Sequence, residues 1–518
     1  MHQMRADYGM TKPSRFKRDR HGFNPAGSGA DFHIRSQPEF LRMIELAREM
    51  EREDPLLRQA IRRVVNNIQT GAATPDPQTG DDEVNKILFD DWQEWGNDPL
   101  RCHEKGTMTW RRMTNVGLGR TFIDGDYSGL PLASERIQTL EAHRMRTPES
   151  SKISRGVCGV ESNNEGRPIR YWITKESVDP TRPAKVSEVT PYDAIDSDGH
   201  QQFFHVFDPE RFSLSRGITR LAQVYDIRGM TDDVEFAQLV KQQVAACVAY
   251  AEKWETGSER PKSSTIGDGP LEHDLWGDGT PRELVNMVPG KILRSYPGQS
   301  WEALNPNMPG DGYHKQISNL LTYFAVALDL PRVVLLLDAS DSNFSSYRNV
   351  MLEARKTYRE IQVWHVNSWH APVWRWRCRV LLKRNPALQR FVEKNGPDGL
   401  RLLTKHVWNP PGWDYIEPVA DATRWQIELG NGMTSWRRFY AHRHGTDNEV
   451  MTNEIVEDFE YRYTRACEAA ERINARFPQF AIKDPWELCP RPSAIGVTQS
   501  TTLSETVAAE GSPNAQPA

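Results

Sequence analysis

Apolar positions recur at helical spacing through most of the chain. Phe40, Ile44 and Ala47 share one face of a first helix, as residues three or four apart do. Ser36 and Glu39 read as a capping box with Pro38 inside the first turn. Asp54 and Pro55 interrupt the run, and Leu56, Ala60, Ile61, Val64, Val65 and Ile68 resume it in a second helix ending at Gly71. A Pro/Gly/Thr loop over 72–80 leads to a third helix over about 81–95, carrying Val84, Ile87, Leu88 and Trp92. From about 120 to 207 the pattern turns to strands. Residues 121–123, 155–160, 169–173 and 202–207 are β-branched or aromatic, with Asn163, Asn164 and Gly166 supplying a turn. This part reads as a hairpin-rich α+β domain.

A long helical signal follows over 231–256, with Thr231 as cap and Asp232 and Asp233 in the first turn. Its centre, 244–251, is apolar on every side, so it is expected to be packed all round. Residues 257–312 are rich in Gly and Pro and read as a compact module with short strands such as 291–293. Helix returns over 313–330, with Ile317, Leu320, Leu321, Phe324 and Leu328 on one face, and Pro331 stops it. Arg332–Phe344 cannot be continuous helix. Its apolar half, Val333–Leu337, is expected to pack between subunits and its polar half, Asp338–Asn343, to face a bore or solvent. Ser345 or Ser346 is placed to cap a further helix over about 345–366. A last helix opens at Thr446 and Glu449 and runs to about Phe477.

Composition narrows the class. The chain has 518 residues, enough for several domains and a large core. The longest apolar run, Val244–Ala251, is far short of the ~20 residues that span a bilayer. Met1–Arg20 has no apolar stretch, so no secretory signal is expected. The six Cys form no C-x-x-C pair, which fits a reducing compartment better than a disulfide framework or zinc finger. Residues 1–35 form a basic arm, and 490–518 an aperiodic Ser/Thr/Ala/Pro tail expected to be disordered. Net charge is −5, so the chain as a whole is not a nucleic-acid glue. Locally, 369–390 carries six Lys or Arg, no acid and three Trp. Its Trp residues are expected against neighbouring subunits and its Arg residues on acidic patches, with DNA contact the alternative.

No signature of catalysis stands out. There is no phosphate-binding G-x-x-x-x-G-K-[ST], no third glycine after Gly117 and Gly119, no G-x-S-x-G and no H-E-x-x-H. His442 and His444 fall at a helix end, where the dipole favours them. Asp124 with Asp126, or Asp338 with Asp341, could hold Mg²⁺ as nuclease carboxylates do, although acidic turns are the simpler reading. The Asp196–Gly199 turn lacks the remaining ligands of a calcium loop.

Several segments, in order, carry a family likeness: Arg52–Ile61 (REDPLLRQAI), Phe89–Trp95 (FDDWQEW), Ile137–Arg144 (IQTLEAHR), Ile153–Val157 (ISRGV), Gly166–Trp172 (GRPIRYW), His205–Phe207, Arg211, Arg216–Thr219 (RGIT), Val288–Ile292 (VPGKI), Tyr296–Gln299 (YPGQ) and, most specific, Asn343–Arg348 (NFSSYR). Together they resemble the lambda-like portal proteins of tailed bacteriophages. The resemblance implies an α+β portal fold: a wing over 36–230, stem helices over 231–256 and 313–330, a clip over 257–312, a tunnel loop over 331–346, and a helical wing and crown over 347–489. It also implies a homo-oligomeric ring, typically a dodecamer, at the capsid portal vertex of the virion, assembled in the host cytoplasm. Double-stranded DNA would be packaged and ejected through it, with the large terminase subunit, the major capsid protein and a head-tail adaptor as partners. No cofactor, metal, membrane or enzymatic activity is implied.

On that reading the tunnel candidates are Arg332, Asp338, Ser340, Asp341, Ser342, Asn343 and Arg348. The stem-interface candidates are Val244, Ala246, Val248, Tyr250 and Trp254. A mildly acidic conduit with few basic groups lets DNA slide, because many phosphate contacts repeated round a ring would hold it. Two other readings remain open: another neck or adaptor ring of the virion, and a DNA-processing enzyme using the Asp pairs.

Overall fold

The computed structural model describes residues 36–488 apart from 70–72, 150–155, 180–181, 247–249, 255–271, 276–280, 285–298, 304–310, 339, 341–342, 411, 414–415, 445–447, 478, 480–481, 483 and 486–487. The basic arm, the C-terminal tail, the 291–293 segment and Thr446 therefore lie outside the described residues. The chain divides into two compact units, one of residues 1–68 with 90–404 and one of 69–89 with 405–518.

Helix α1 (Gln37–Glu53) buries Phe40, Met43, Ile44 and Ala47. Ser36 is its N-cap residue, but its side chain makes no capping hydrogen bond. Asp54 ends α1 and starts α2 (Pro55–Gln69), its carboxylate accepting from the N–H groups of Leu56 (2.9 Å) and Leu57 (3.2 Å). The Asp-Pro break is thus a cap with proline at the first helical position. A short strand β1 (Thr74–Pro77) and helices α3 (Asp82–Asn97), α4 (Pro99–Cys102) and α5 (Trp110–Ile123) follow. Residues 121–123 close α5 rather than form a strand. Met113, Leu118 and Phe122 are buried with Thr114 and Thr121, and this helical burial outweighs the weak strand preference of Thr and Ile.

The β-rich region forms two antiparallel sheets. Strands β2 (Asp126–Pro131), β3 (Ile137–Glu141) and β8 (Phe204–Phe207) pair in the order β3-β2-β8. Strands β4 (Gly156–Val157), β5 (Val160–Ser162), β6 (Pro168–Thr174) and β7 (Val189–Asp193) pair in sequence. The turn into β6 works as its residues suggest, with Asn163 Oδ1 accepting from the N–H groups of Glu165 and Arg167. Leu130, Leu140, Val160, Tyr171, Ile173 and Phe203 form one apolar cluster of this region.

Helix α6 spans Leu221–Ala246, ten residues earlier at its start and shorter at its end than the pattern suggests. Thr231 is not its cap but lies mid-helix, its hydroxyl donating to the Ile227 carbonyl at 2.9 Å. Gly229 costs a helix only about 1 kcal/mol, and burial of Leu221 and Val224 carries the helix through it. Beyond the undescribed 247–249, Tyr250–Trp254 is a strand, β9, that pairs antiparallel with β12 (Gln299–Ala303). Its aromatic ends suit a strand, and β12 satisfies its backbone groups. Between them in sequence, strands β10 (Glu272–Leu275) and β11 (Pro281–Leu284) pair antiparallel with each other.

Helix α7 (Asp311–Ala327) packs beside α6. It is followed by α8 (Arg332–Leu336), α9 (Phe344–His365), one π-helical turn over Val366–His370, α10 (Ala371–Leu382), α11 (Pro386–Asn395) and α12 (Gly399–Leu403). In the second unit β13 (His406–Asn409) pairs antiparallel with β1, and α13 (Pro418–Gly430), α14 (Trp436–His444) and α15 (Asn448–Arg476) follow.

The tryptophans of the basic stretch belong to the chain's own core. Trp369 stacks on Trp110 (centroids 5.3 Å apart, planes 8° from parallel), and Trp374 meets Trp92 at 5.5 Å. Trp369 and Trp374 are fully buried and Trp376 nearly so. The expectation that they pack against neighbouring subunits is therefore corrected. Six large rings from three separated segments find one another inside one unit, where each buries more area than at a rim. Gly129 permits this packing, since a Cβ there would lie 2.6 Å from the Trp369 ring.

Candidate functional site

The tunnel candidates share one segment, between the end of α7 and the first turns of α9. Leu328 and Leu330 are buried at the end of α7, and Pro331 turns the chain into α8 with its fixed φ of −59°. Leu337 then ends α8 in the left-handed region at φ 53°. The apolar half divides. Val334 and Leu335 are buried within this chain, which corrects the expectation that they pack between subunits, whereas Leu336 and Leu337 are exposed.

Three arginines hold this segment to the chain. Arg63 of α2 donates to the carbonyls of Val334 (3.0 Å) and Leu335, two groups that the end of a short helix leaves without helical partners. Arg332 donates to the Ser318 hydroxyl of α7, so this candidate braces the segment's start. Arg220 bridges Asp208 (2.9 Å) and Asp329 (3.1 Å) while lying over the Phe122 ring.

Of the second half, Asp338, Ser340 and Asn343 are exposed. Asp338 accepts from the Ser340 N–H at 2.9 Å, and that hydrogen bond holds its carboxyl below the usual range. Asn343, not Ser345 or Ser346, caps α9. Its Oδ1 accepts from the Ser346 N–H at 2.8 Å and from the Ser345 hydroxyl at 3.0 Å. Arg348 lies half-buried on the second turn of α9. Asp341 and Ser342 lie outside the described residues. The structure thus places Arg332, Asp338, Ser340, Asn343 and Arg348 along one continuous stretch.

The stem candidates do not share one element. Val244 and Ala246 end α6, Val248 lies outside the described residues, and Tyr250 and Trp254 are at the two ends of β9. For Tyr250 and Trp254 the stem-helix assignment is corrected by the pairing with β12.

Of the acids flagged for Mg²⁺, Asp124 and Asp126 each meet an arginine instead, whereas Asp338 accepts from Ser340 and Asp341 lies outside the described residues. Asp126 is fully buried and meets the Arg216 guanidinium, with Nη2 3.0 Å from Oδ1. Burial alone would raise this carboxyl, but the Arg216 charge overrides it and holds the pKa well below the ordinary value. Arg216 spends its remaining donors on the carbonyls of Ala142 (2.9 Å), Met145 (3.1 Å) and Cys158. His205 Nε2 lies 3.1 Å from Asp126, and burial lowers its pKa. Asp124, also buried, takes two hydrogen bonds from Arg48 at 2.8 and 2.6 Å. The adjoining backbone is tight. Gly125 has φ 95°, and a Cβ on Gly217 would lie 1.9 Å from the Gly125 carbonyl oxygen. The Arg216-Gly217 pair that carries part of the family likeness is therefore a structural knot. Nothing in the sequence marks its partner, which lies 90 residues away.

The site thus consists of two long packed helices, α6 and α7, and an anchored segment that leads into a third long helix, α9. The chain belongs to the lambda family of phage portal proteins, which it matches over residues 16–362. The match is to structural proteins of the virion. A probable portal protein of Halomonas phage phiHAP-1 is 22% identical over 399 residues, covering 73% of this chain and 71% of that protein. Among solved structures, a chain of the native gene transfer agent virion is similar at a TM-score of 0.38 with 12% identity, over 75% of this chain and 89% of that one. A chain of the native gene transfer agent neck, computed with C12 symmetry, is similar at 0.37 with 11% identity, over 70% and 92%. Both likenesses are loose. None of the described helices is long and apolar enough to cross a membrane.

Proposed function

We propose that the chain assembles into a closed ring, of about twelve copies as its family typically does, at one capsid vertex, where it is the conduit for double-stranded DNA during packaging and ejection. In this reading α6 and α7 are the stem, β9–β12 the clip, and 331–346 the segment that faces the moving duplex. The large terminase subunit, the major capsid protein and a head-tail adaptor are its partners in turn, with assembly in the host cytoplasm.

The observation that carries the reading is the set of apolar side chains left exposed on the long helices. Phe236 and Leu239 of α6, Tyr323 and Val326 of α7, and Val350 and Leu352 of α9 are all exposed. Single exposed apolar residues are ordinary, but a set repeated on consecutive long helices marks a face that another surface covers. A ring of identical copies supplies that surface by heterologous contacts that close on themselves.

The exposed polar positions Asp338, Ser340 and Asn343 of the segment suit a sliding contact. They bear short polar side chains, and both ends of the segment are tied down by hydrogen bonds, so it can shift without loosening the helices it joins. Deleting residues 339–342 is expected to leave ring assembly intact and to reduce the yield of DNA-filled particles. Normal yields of filled, infectious particles from the deletion would refute the role given to this segment.

A further inference from the structure

The basic Trp369–Arg390 stretch is divided by helix α10 into two faces with different occupations. Arg377 points inward and is nearly fully buried, its Nη2 2.7 Å and its Nε 2.8 Å from the Asp91 carboxylate, with Glu135 at 3.4 Å. Arg384, just past the end of α10, also reaches Glu135. Arg375 and Arg379 are four residues apart and lie on another face. They line a cavity of about 370 Å³, joined there by Arg167 from the turn into β6.

This cavity combines an excess of arginine with an apolar floor. No ion pair or side-chain hydrogen bond is made by Arg167, Arg375 or Arg379 among the described residues. Arg379 is half-buried, and loss of water lowers its pKa, with Asp196 the acid that opposes this. Asp196 makes no ion pair with Arg379 and is held within its own loop, so it offsets only part of the charge of three arginines. Its carboxylate accepts from the N–H groups of His200 (2.7 Å) and Asp198 (3.0 Å) and from the Gln202 amide (2.7 Å). Asp196, Asp198 and His200 stand near enough to one another to suggest a cation, but those hydrogen bonds already make the loop a self-contained turn. The floor is apolar, with Tyr171 stacked on Phe203 at 4.3 Å and Pro372 beside them.

We infer that this cavity is a docking site for an acidic segment of another protein, which seats a carboxylate among Arg167, Arg375 and Arg379 and lays an adjacent apolar side chain over the Tyr171–Phe203 floor. Guanidinium forks bind carboxylates in two-point fashion, and a partly desolvated guanidinium gains most from doing so. Shape and floor select a peptide over duplex DNA. The rigid duplex presents its phosphates on a convex surface and offers no apolar group to a concave pocket. An acidic, partly apolar peptide satisfies both halves of the cavity. The inference stands apart from the conduit reading, because it concerns a sheet-and-helix hollow rather than the 331–346 segment.

The test uses the full chain and a fluorescent octapeptide of alternating Glu and Leu, with the alternating Lys and Leu peptide as its control and a 12-base-pair duplex as competitor. Anisotropy is expected to show salt-sensitive binding of the Glu peptide alone. Arg375→Gln with Arg379→Gln is expected to weaken it at least tenfold, and the duplex is expected not to displace it. Arg375 is exposed, Arg379 is half-buried, and neither makes an internal bridge, so the double variant is expected to keep the wild-type melting temperature. Arg167→Gln is the independent second variant should it not, with a loss of severalfold expected. Equal Glu-peptide binding by wild type and the folded variants, or by the Lys peptide, would overturn the inference. So would displacement of the peptide by the duplex, which would assign the site to nucleic acid instead.

Discussion

Asp126 and Arg216 show how much one side chain carries in this chain. Both are fully buried, and each satisfies the other's charge. Arg216→Met leaves the carboxylate buried beside His205 without a permanent countercharge, and such a loss typically costs about 3–5 kcal/mol. Thermal denaturation of the variant should show that destabilisation, and Arg216→Met combined with Asp126→Leu should recover much of it. An unchanged melting temperature in the single variant would refute the role of the pair. The buried histidines predict a pH dependence. Burial pushes His370 down to about 4, and lowers His365, whose Nε2 meets the Tyr127 hydroxyl at 2.9 Å. The unfolded chain binds these protons below its ordinary value of about 6.5, while the folded chain resists them until about 4 for His370. Stability should therefore fall as pH drops through that window. Melting curves between pH 7 and 4.5 check this, and His370→Asn should flatten the fall. At this scale little was legible in advance. Asp124 and Asp126 stood out as acids, but Arg48 and Arg216, the residues that explain them, lie 76 and 90 positions away. No local pattern encodes such a pairing.

Elements were more legible because periodicity is local. The first two helices and the antiparallel strands from 156 onward follow from apolar spacing and the Asn163 turn, and the Asp54–Pro55 break proved to be a helix start. The errors share a cause, which is that tertiary contacts override weak local signals. Gly229 did not break α6, and the apolar run after Ala246 resolves into a strand at Tyr250 because β12 is there to pair with it. The left-handed turn at Leu337 could not be read at all, since a leucine there carries no signal. Asn343 is the cap on which the exposed segment ends, so Asn343→Ala should cost about 1 kcal/mol locally. Hydrogen exchange at the first turn of α9 should accelerate while exchange in the buried core is unchanged. Equal exchange at that turn would show that the cap is not what starts the helix.

For the whole molecule, the family could be read from ordered short segments, whereas the fate of the tryptophans could not. The Trp residues of 369–390 are expected at subunit contacts, yet the rings from Trp92 to Trp376 fill one unit's interior. In the proposed ring, the exposed apolar residues of α6, α7 and α9, rather than the Trp-rich stretch, would meet a neighbouring copy. Phe236→Asp places a charge on that surface without touching the core. It should leave the monomer folded, with unchanged helical content, and abolish higher assemblies in sedimentation. The central claim is the closed ring, and the mass of the purified native assembly tests it most directly. Native mass spectrometry should give a single dominant species near 710 kDa, about twelve chains of 59.3 kDa each. A species that remains at one or two chains at micromolar concentration, or an open ladder of sizes with no closed maximum, would contradict it.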